Sequence, residues 1–113
     1  MIKLNLSKLL KEQVVPVMGC TEPASIALAC AAAASVLNKH AYNAADGITK
    51  IELTLDRFVY RNAKSVGIPG SGGLTGIKIA AAMGTFCNPG LGLNIFHSFD
   101  KKNICAAERL SKN

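Results

Sequence analysis

The sequence predicts an α+β chain that is predominantly helical. Two observations carry the helices: leucines and a valine recur at helical spacing near the N-terminus, and a long uncharged run rich in alanine follows a capping sequence. A third, one short stretch of strict apolar/polar alternation, carries the β part. Half of the 113 residues are hydrophobic and 18% are charged, which argues against disorder. Tryptophan is absent and alanine abundant, favouring close helix packing over an aromatic β core.

In chain order, Leu6, Leu9, Leu10 and Val14 place a short amphipathic helix over residues 7–15. Pro16 biases Val15 toward extended backbone and ends it. Thr21 is a good N-cap, Glu22 complements the helix dipole and Pro23 fits the first turn, so a second helix is expected over 22–37. Its middle is apolar on every side, the pattern of a helix enclosed by a larger body. Residues 43–47 read as a turn. Ile51, Leu53 and Leu55 alternate with Glu52 and Thr54, predicting a strand that extends through Val59. Residues 66–76, VGIPGSGGLTG, hold five glycines, a density that demands positive φ or close backbone approach. A helix over 77–83 leaves that loop. Asn88 and Pro89 open another short helix, and Asp100 caps a last one through Leu110. There is neither an internal repeat nor a linker.

The net charge of +6 raises the question of nucleic acid, but the basic residues are scattered from Lys3 to Lys112 without a stripe or interleaved aromatics. We therefore expect no nucleic-acid partner. The cysteines at 20, 30, 87 and 105 form neither a CxxC pair nor a zinc-ligand spacing, and no disulfide framework, which points to a reducing cytoplasm. The uncharged run over 23–37 is shorter than the roughly 18 residues a membrane span needs. Val17-Met18-Gly19-Cys20 has the look of a lipoprotein cleavage box, yet Glu12 and Gln13 leave too few apolar residues before it for a signal peptide. No membrane association is expected.

Two stretches could carry chemistry. Gly70 and Gly72 begin a G-x-G-x-x-G, but Thr75 takes the last glycine position, and Gly76 is followed by Ile77 rather than the Lys of a P-loop. What remains is a set of backbone N–H groups before a helix, able to nest a carboxylate or phosphate, against a plain alternative of a tight structural turn. Cys20 stands where a helix begins, and free N–H groups there lower a thiol pKa from about 8.5. Glu22 opposes this unless it points away. A functional Cys20 and a buried cap neighbour are equally consistent with the residues alone. Cys30, Cys87 and Cys105 read as structural, and His40 and His97 suit helix ends. Arg57, Arg61, Lys64 and Lys78 flank the glycine loop, where they solvate it or hold a carboxylate.

VVPVMGCTEPASIALA followed by VYRNAKSVGIPGSGGLTGIKIAAAMG resembles the N-terminal part of the L-cysteine desulfidases, relatives of the α portion of iron–sulfur L-serine dehydratases. The resemblance implies a serine dehydratase α-like catalytic fold, of which residues 1–113 would be an incomplete N-terminal segment. It implies a lyase that eliminates the β-substituent of a small amino acid, L-cysteine or L-serine, giving pyruvate, ammonia and, from cysteine, sulfide. Cys20 would match the thiol proposed as the base, and Ser71, Gly72 and Gly73 the loop that holds the amino acid. Family members carry a [4Fe–4S] cluster whose ligands lie beyond the stretch matched here. Cys87 and Cys105 match none of them, so no cofactor is expected in this chain. Lys64 stands where the family usually has an uncharged residue. The resemblance thus implies a truncated or split enzyme, inactive alone, partnered by a chain bearing the cluster half or by copies of itself. The alternative is a non-catalytic remnant, or a fragment that binds a small anion or a partner. An exposed apolar face on the second helix would make either form self-associate.

Overall fold

The computed structural model describes residues 3–17, 19–37 and 47–113. The first helix, α1 (Leu6–Gln13), starts where the Asn5 side chain accepts the N–H of Lys8 at 3.1 Å. None of its residues is buried, and Leu6 and Leu10 are 65% and 58% exposed. Its leucine stripe therefore finds no partner among the described residues.

Helix α2 (Thr21–Leu37) buries Pro23, Ala24, Ile26, Ala27, Cys30, Ala31 and Ala34, one face at helical spacing. Ser25, Ala29, Ala32, Ala33, Val36 and Leu37 face outward. A helix that is apolar on all sides is thus covered here on one side only. Against that face lies α4 (Ile77–Gly84), with Ile79 through Gly84 buried. The two backbones approach so closely that a Cβ built on Gly84 would sit 2.3 Å from the carbonyl oxygen of Ala27. Alanines on both helices permit that approach. Met83, Ile95, Phe96, Phe99 and Ala107 then close the main core, with Phe86 edge-to-face on Phe99 at 6.4 Å between centroids.

The last third follows its caps. Asn88 accepts the N–H of Gly90 at 2.9 Å and opens a 3-10 segment, Pro89–Ser98. Asp100 accepts from Lys102 at 3.0 Å, and a 3-10 turn (Lys101–Asn103) leads into α5 (Ile104–Ser111).

The β expectation fails. Among the described residues there is no strand, only an isolated antiparallel bridge between Gly67 and Thr75. The alternation over 51–55 describes burial only in part: Ile51 and Leu55 are half-buried and Glu52 and Thr54 exposed, but Leu53 is exposed as well. No second segment pairs with it, and alternation says nothing about a partner. The expected extension through Val59 is instead helix α3 (Arg57–Ala63), because Asp56 accepts the N–H of Phe58 at 2.8 Å and caps it. The chain is therefore α-rich. His40 and most of the turn expected over 43–47 lie outside the described residues; Gly47 is in a turn.

The close approach at Gly84 sets a first expectation. Gly84→Ala should destabilise the chain by about 1–3 kcal/mol, because the new methyl meets backbone, which cannot rotate away. The urea midpoint should fall with an unchanged slope. A second concerns Cys30, whose thiol burial pushes up to about 11. An unfolded thiol ionises near pH 8.5 while the folded one keeps its proton, so stability is full below about pH 8.5 and declines above it. By pH 10 this thiol should cost about 2 kcal/mol. Cys87, raised to about 11 as well, adds a like term, so Cys30→Ala should roughly halve the decline in urea midpoint between pH 8 and 10 and leave the rest.

Candidate functional site

The stretch leading into α2 and the loop leading into α4 touch. Gly19 takes φ +78, and a Cβ there would come within 2.9 Å of the Pro69 ring, so only glycine lets the chain pass the loop at this point. Upstream, the Asn94 side chain donates to the carbonyl of Pro16 at 3.1 Å and ties this stretch to the 3-10 segment.

Within the junction, the Cys20 thiol donates to Glu22 Oε2 at 2.7 Å. The Asn62 amide, from the end of α3, donates to Glu22 Oε1 at 3.3 Å, and Thr21 Oγ1 approaches Oε2 at 3.4 Å. The carboxylate thus points at the thiol instead of away. Its hydrogen bond holds the proton on sulfur and raises the Cys20 pKa above the ordinary thiol value, with partial burial and the nearby negative charge adding to it. Glu22 moves the other way: the thiol's hydrogen bond, then those from its own N–H and from Asn62, hold the carboxyl below its ordinary pKa. At neutral pH the pair is a neutral thiol beside a carboxylate. The sequence left open whether the helix dipole or Glu22 governs this thiol; here the carboxylate points at it and outweighs the dipole.

The glycine loop is held by its own backbone. Ile68 N donates to Leu74 O at 3.0 Å and Gly76 N to Val66 O at 3.0 Å. Ser71 is buried, and its hydroxyl donates to Ile68 O at 2.6 Å while accepting Leu74 N–H at 2.9 Å. That side chain builds the loop and does not present a free hydroxyl. Gly72 and Gly73, at φ +75 and +99, are exposed at the tip, and their N–H groups find no backbone acceptor among the described residues. The sequence singled out Cys20, Ser71, Gly72 and Gly73. Asn62 was missed, because its link to Glu22 joins residues 40 apart in sequence and no local pattern announces it.

The other thiols stand apart. Cys30 is buried, and Cys87 donates to Met83 O at 3.2 Å, with burial raising its pKa to about 11. Cys105 is exposed on α5. Among the described residues no three His, Cys, Asp or Glu side chains gather around a point that a metal ion could occupy, so the residues present do not fit an iron–sulfur cluster. No described helix is long and apolar enough to cross a membrane.

The chain is similar to several curated proteins that carry the name UPF0597 protein. That of Desulfatibacillum aliphaticivorans is 38% identical over 106 residues, 93% of this chain and 23% of the relative. That of Finegoldia magna is 36% identical over 110 residues, 96% of this chain and 25% of the relative. That of Nautilia profundicola is 42% identical over 98 residues, 86% of this chain and 22% of the relative. The chain thus spans about a quarter of the length of these relatives. No family model matches it, and no solved structure does.

These relatives correct the resemblance drawn from the two motifs. Matched across nearly the whole chain, they carry no desulfidase, dehydratase, lyase or iron–sulfur term in their names. The assignment to the cysteine desulfidases and serine dehydratase α chains is therefore withdrawn. With it go the lyase reaction, the reading of this chain as a truncated lyase, and the expected [4Fe–4S] cluster.

The Cys20–Glu22 pair makes a direct prediction. At neutral pH, iodoacetamide should alkylate Cys20 more slowly than exposed Cys105, read site by site by mass spectrometry. Glu22→Gln removes the charge that holds the proton on sulfur, so it should speed Cys20 alkylation roughly three- to tenfold and leave Cys105 unchanged.

Proposed function

We propose that the junction of the Cys20 stretch and the glycine-loop tip binds a small molecule carrying both an anionic and a cationic group, of which a small amino acid is the simplest. The observation that carries this is the contact of Gly19 with Pro69, which sets a carboxylate and unclaimed backbone N–H groups on two adjoining stretches. The N–H groups of Gly72 and Gly73, in successive positive-φ residues, suit a carboxylate. Glu22, kept ionised by its hydrogen bonds, suits an ammonium group. The neutral Cys20 thiol orients Glu22 and lends a polarisable surface to a short side chain. Ser71 acts as a positioning residue, since its hydroxyl fixes the shape of the tip.

Such a ligand needs both ends of the site. In amide-resolved NMR of the 113-residue chain, L-serine and L-cysteine should shift the Gly72, Gly73 and Glu22 signals in the millimolar range typical of a small exposed site. Acetate should shift Gly72 and Gly73 alone and bind more weakly. Glu22→Gln should erase the preference for the amino acid over acetate by removing the cation's partner. Shifts confined to other parts of the chain, or no shift at several millimolar ligand, would place the function elsewhere.

A further inference from the structure

At the C-terminal end of the glycine loop lies a cleft of about 780 Å3, bounded by residues 51–55, α3, Thr75, the start of α4 and the end of α5. That volume falls in the roughly 300–1,000 Å3 range of small-molecule sites. Ile51, Leu53, Leu55, Ile77, Ala81 and Leu110 make it apolar, and Arg57, Lys64 and Lys78 stand among its walls. No carboxylate side chain lines it.

None of these cations is held in an ion pair among the described residues. The described residues contain three ion pairs, Lys8 with Glu12, Lys50 with Glu52 and Lys102 with Asp100, and none involves Arg57, Lys64 or Lys78. Arg57 packs instead over the Phe58 ring, 5.1 Å from its centroid. Three like charges lining one cleft make a positive potential there that favours an anion. The backbone adds to the same sign. Gly76 begins α4 at φ +98 with no side chain to cap it, and a Cβ there would come within 3.0 Å of the Lys64 carbonyl. The close approach to Lys64 thus excludes a capping side chain and leaves the first turn of α4 without one, beside the Tyr60 and Thr75 hydroxyls.

We propose that this cleft is a binding site for a small organic phosphate with an apolar body, the phosphate on Lys64, Lys78 and Arg57 and the body on the apolar floor. A phosphate is favoured over a carboxylate because three cations and two hydroxyls exceed what a single carboxylate can satisfy. The site is separate from the amino-acid site at the loop tip and does not depend on it.

Phenyl phosphate is the probe, titrated at low salt into the 113-residue chain by calorimetry and by amide-resolved NMR. It should bind about tenfold or more tightly than inorganic phosphate, since the ring gains a buried apolar floor. Thr75, Lys78 and Leu110 should shift. Lys64→Gln and Lys78→Gln should each weaken binding roughly three- to tenfold, the range for a charge-assisted contact at a half-exposed site. Lys11→Gln, on the remote α1, should change nothing. Circular dichroism reports whether each variant keeps its helices, and the shift pattern of the unaltered chain decides the matter independently of them. Equal affinity for phenyl phosphate and inorganic phosphate would overturn the proposal, as an adventitious ion only. Indifference to both lysine substitutions, or tighter binding of a single-stranded oligonucleotide than of phenyl phosphate, would overturn it as well.

Discussion

The contact between the Ala27 carbonyl and Gly84 governs the rest of the molecule. Two helices can approach to backbone distance only where neither carries a side chain in the gap, and a Cβ at Gly84 would lie 2.3 Å from that oxygen. The alanines of α2 and α4 extend the same close seam, so dispersion over a large, well-matched surface replaces the bulky side chains that a core without tryptophan lacks. Larger groups enter only at the edges, where Met83, Ile95, Phe96 and Phe99 fill the space between the helix pair and the C-terminal segments. Because each helix is entered by an irregular stretch, seating α2 on α4 also helps to seat those two stretches. Gly19 and Pro69 meet there, bringing the Cys20 stretch against the glycine loop.

At Cys20 two electrostatic effects compete, and distance decides between them. The start of α2 favours a thiolate through a partial charge of roughly half an electron spread over several N–H groups. Glu22 carries a full opposite charge and accepts the thiol proton at 2.7 Å. A full charge in direct hydrogen-bond contact outweighs a distributed partial one, and the thiol stays protonated. Asn62 strengthens the outcome by holding the other carboxylate oxygen, which keeps Glu22 turned toward the junction. The same hydrogen bonds lower the Glu22 pKa, so the negative charge persists well into mildly acidic conditions.

Much of the helical fold was legible because it rests on local signals. Thr21, Asn88 and Asp100 mark element starts that the structure reproduces within a residue or two, since a cap needs only the next few N–H groups. Asp56 is the same signal, masked by the β-like run that follows it, and the cap prevailed over the run. The strand failed for a different reason. Alternation records which side of a segment is covered, and here the cover is helical, so the pattern survives in part without a ladder. At the candidate site, the glycine-rich tip could be read as a place of positive φ, and Gly70, Gly72, Gly73 and Gly76 all adopt it. The reach of Asn62 to Glu22 could not, because it joins residues 40 apart that no local spacing relates. The motif resemblance misled for a related reason: two short boxes in the right order say which residues meet, while the relatives matching nearly the full chain bear a different name.

Charge and apolar surface are distributed unevenly around the glycine loop. At the start of α2 a single carboxylate is held by neutral donors, the Cys20 thiol and the Asn62 amide. Around the other recess cations stand over an apolar floor with no carboxylate side chain among its walls. The loop is cross-linked by Ile68–Leu74 and Gly76–Val66 hydrogen bonds and pinned inside by Ser71, and its Thr75–Gly76 end borders the recess. A loop held in one shape fixes where α4 starts, and with it Lys78 at the wall of the recess. A cation there that no described carboxylate pairs favours an anion in the cleft.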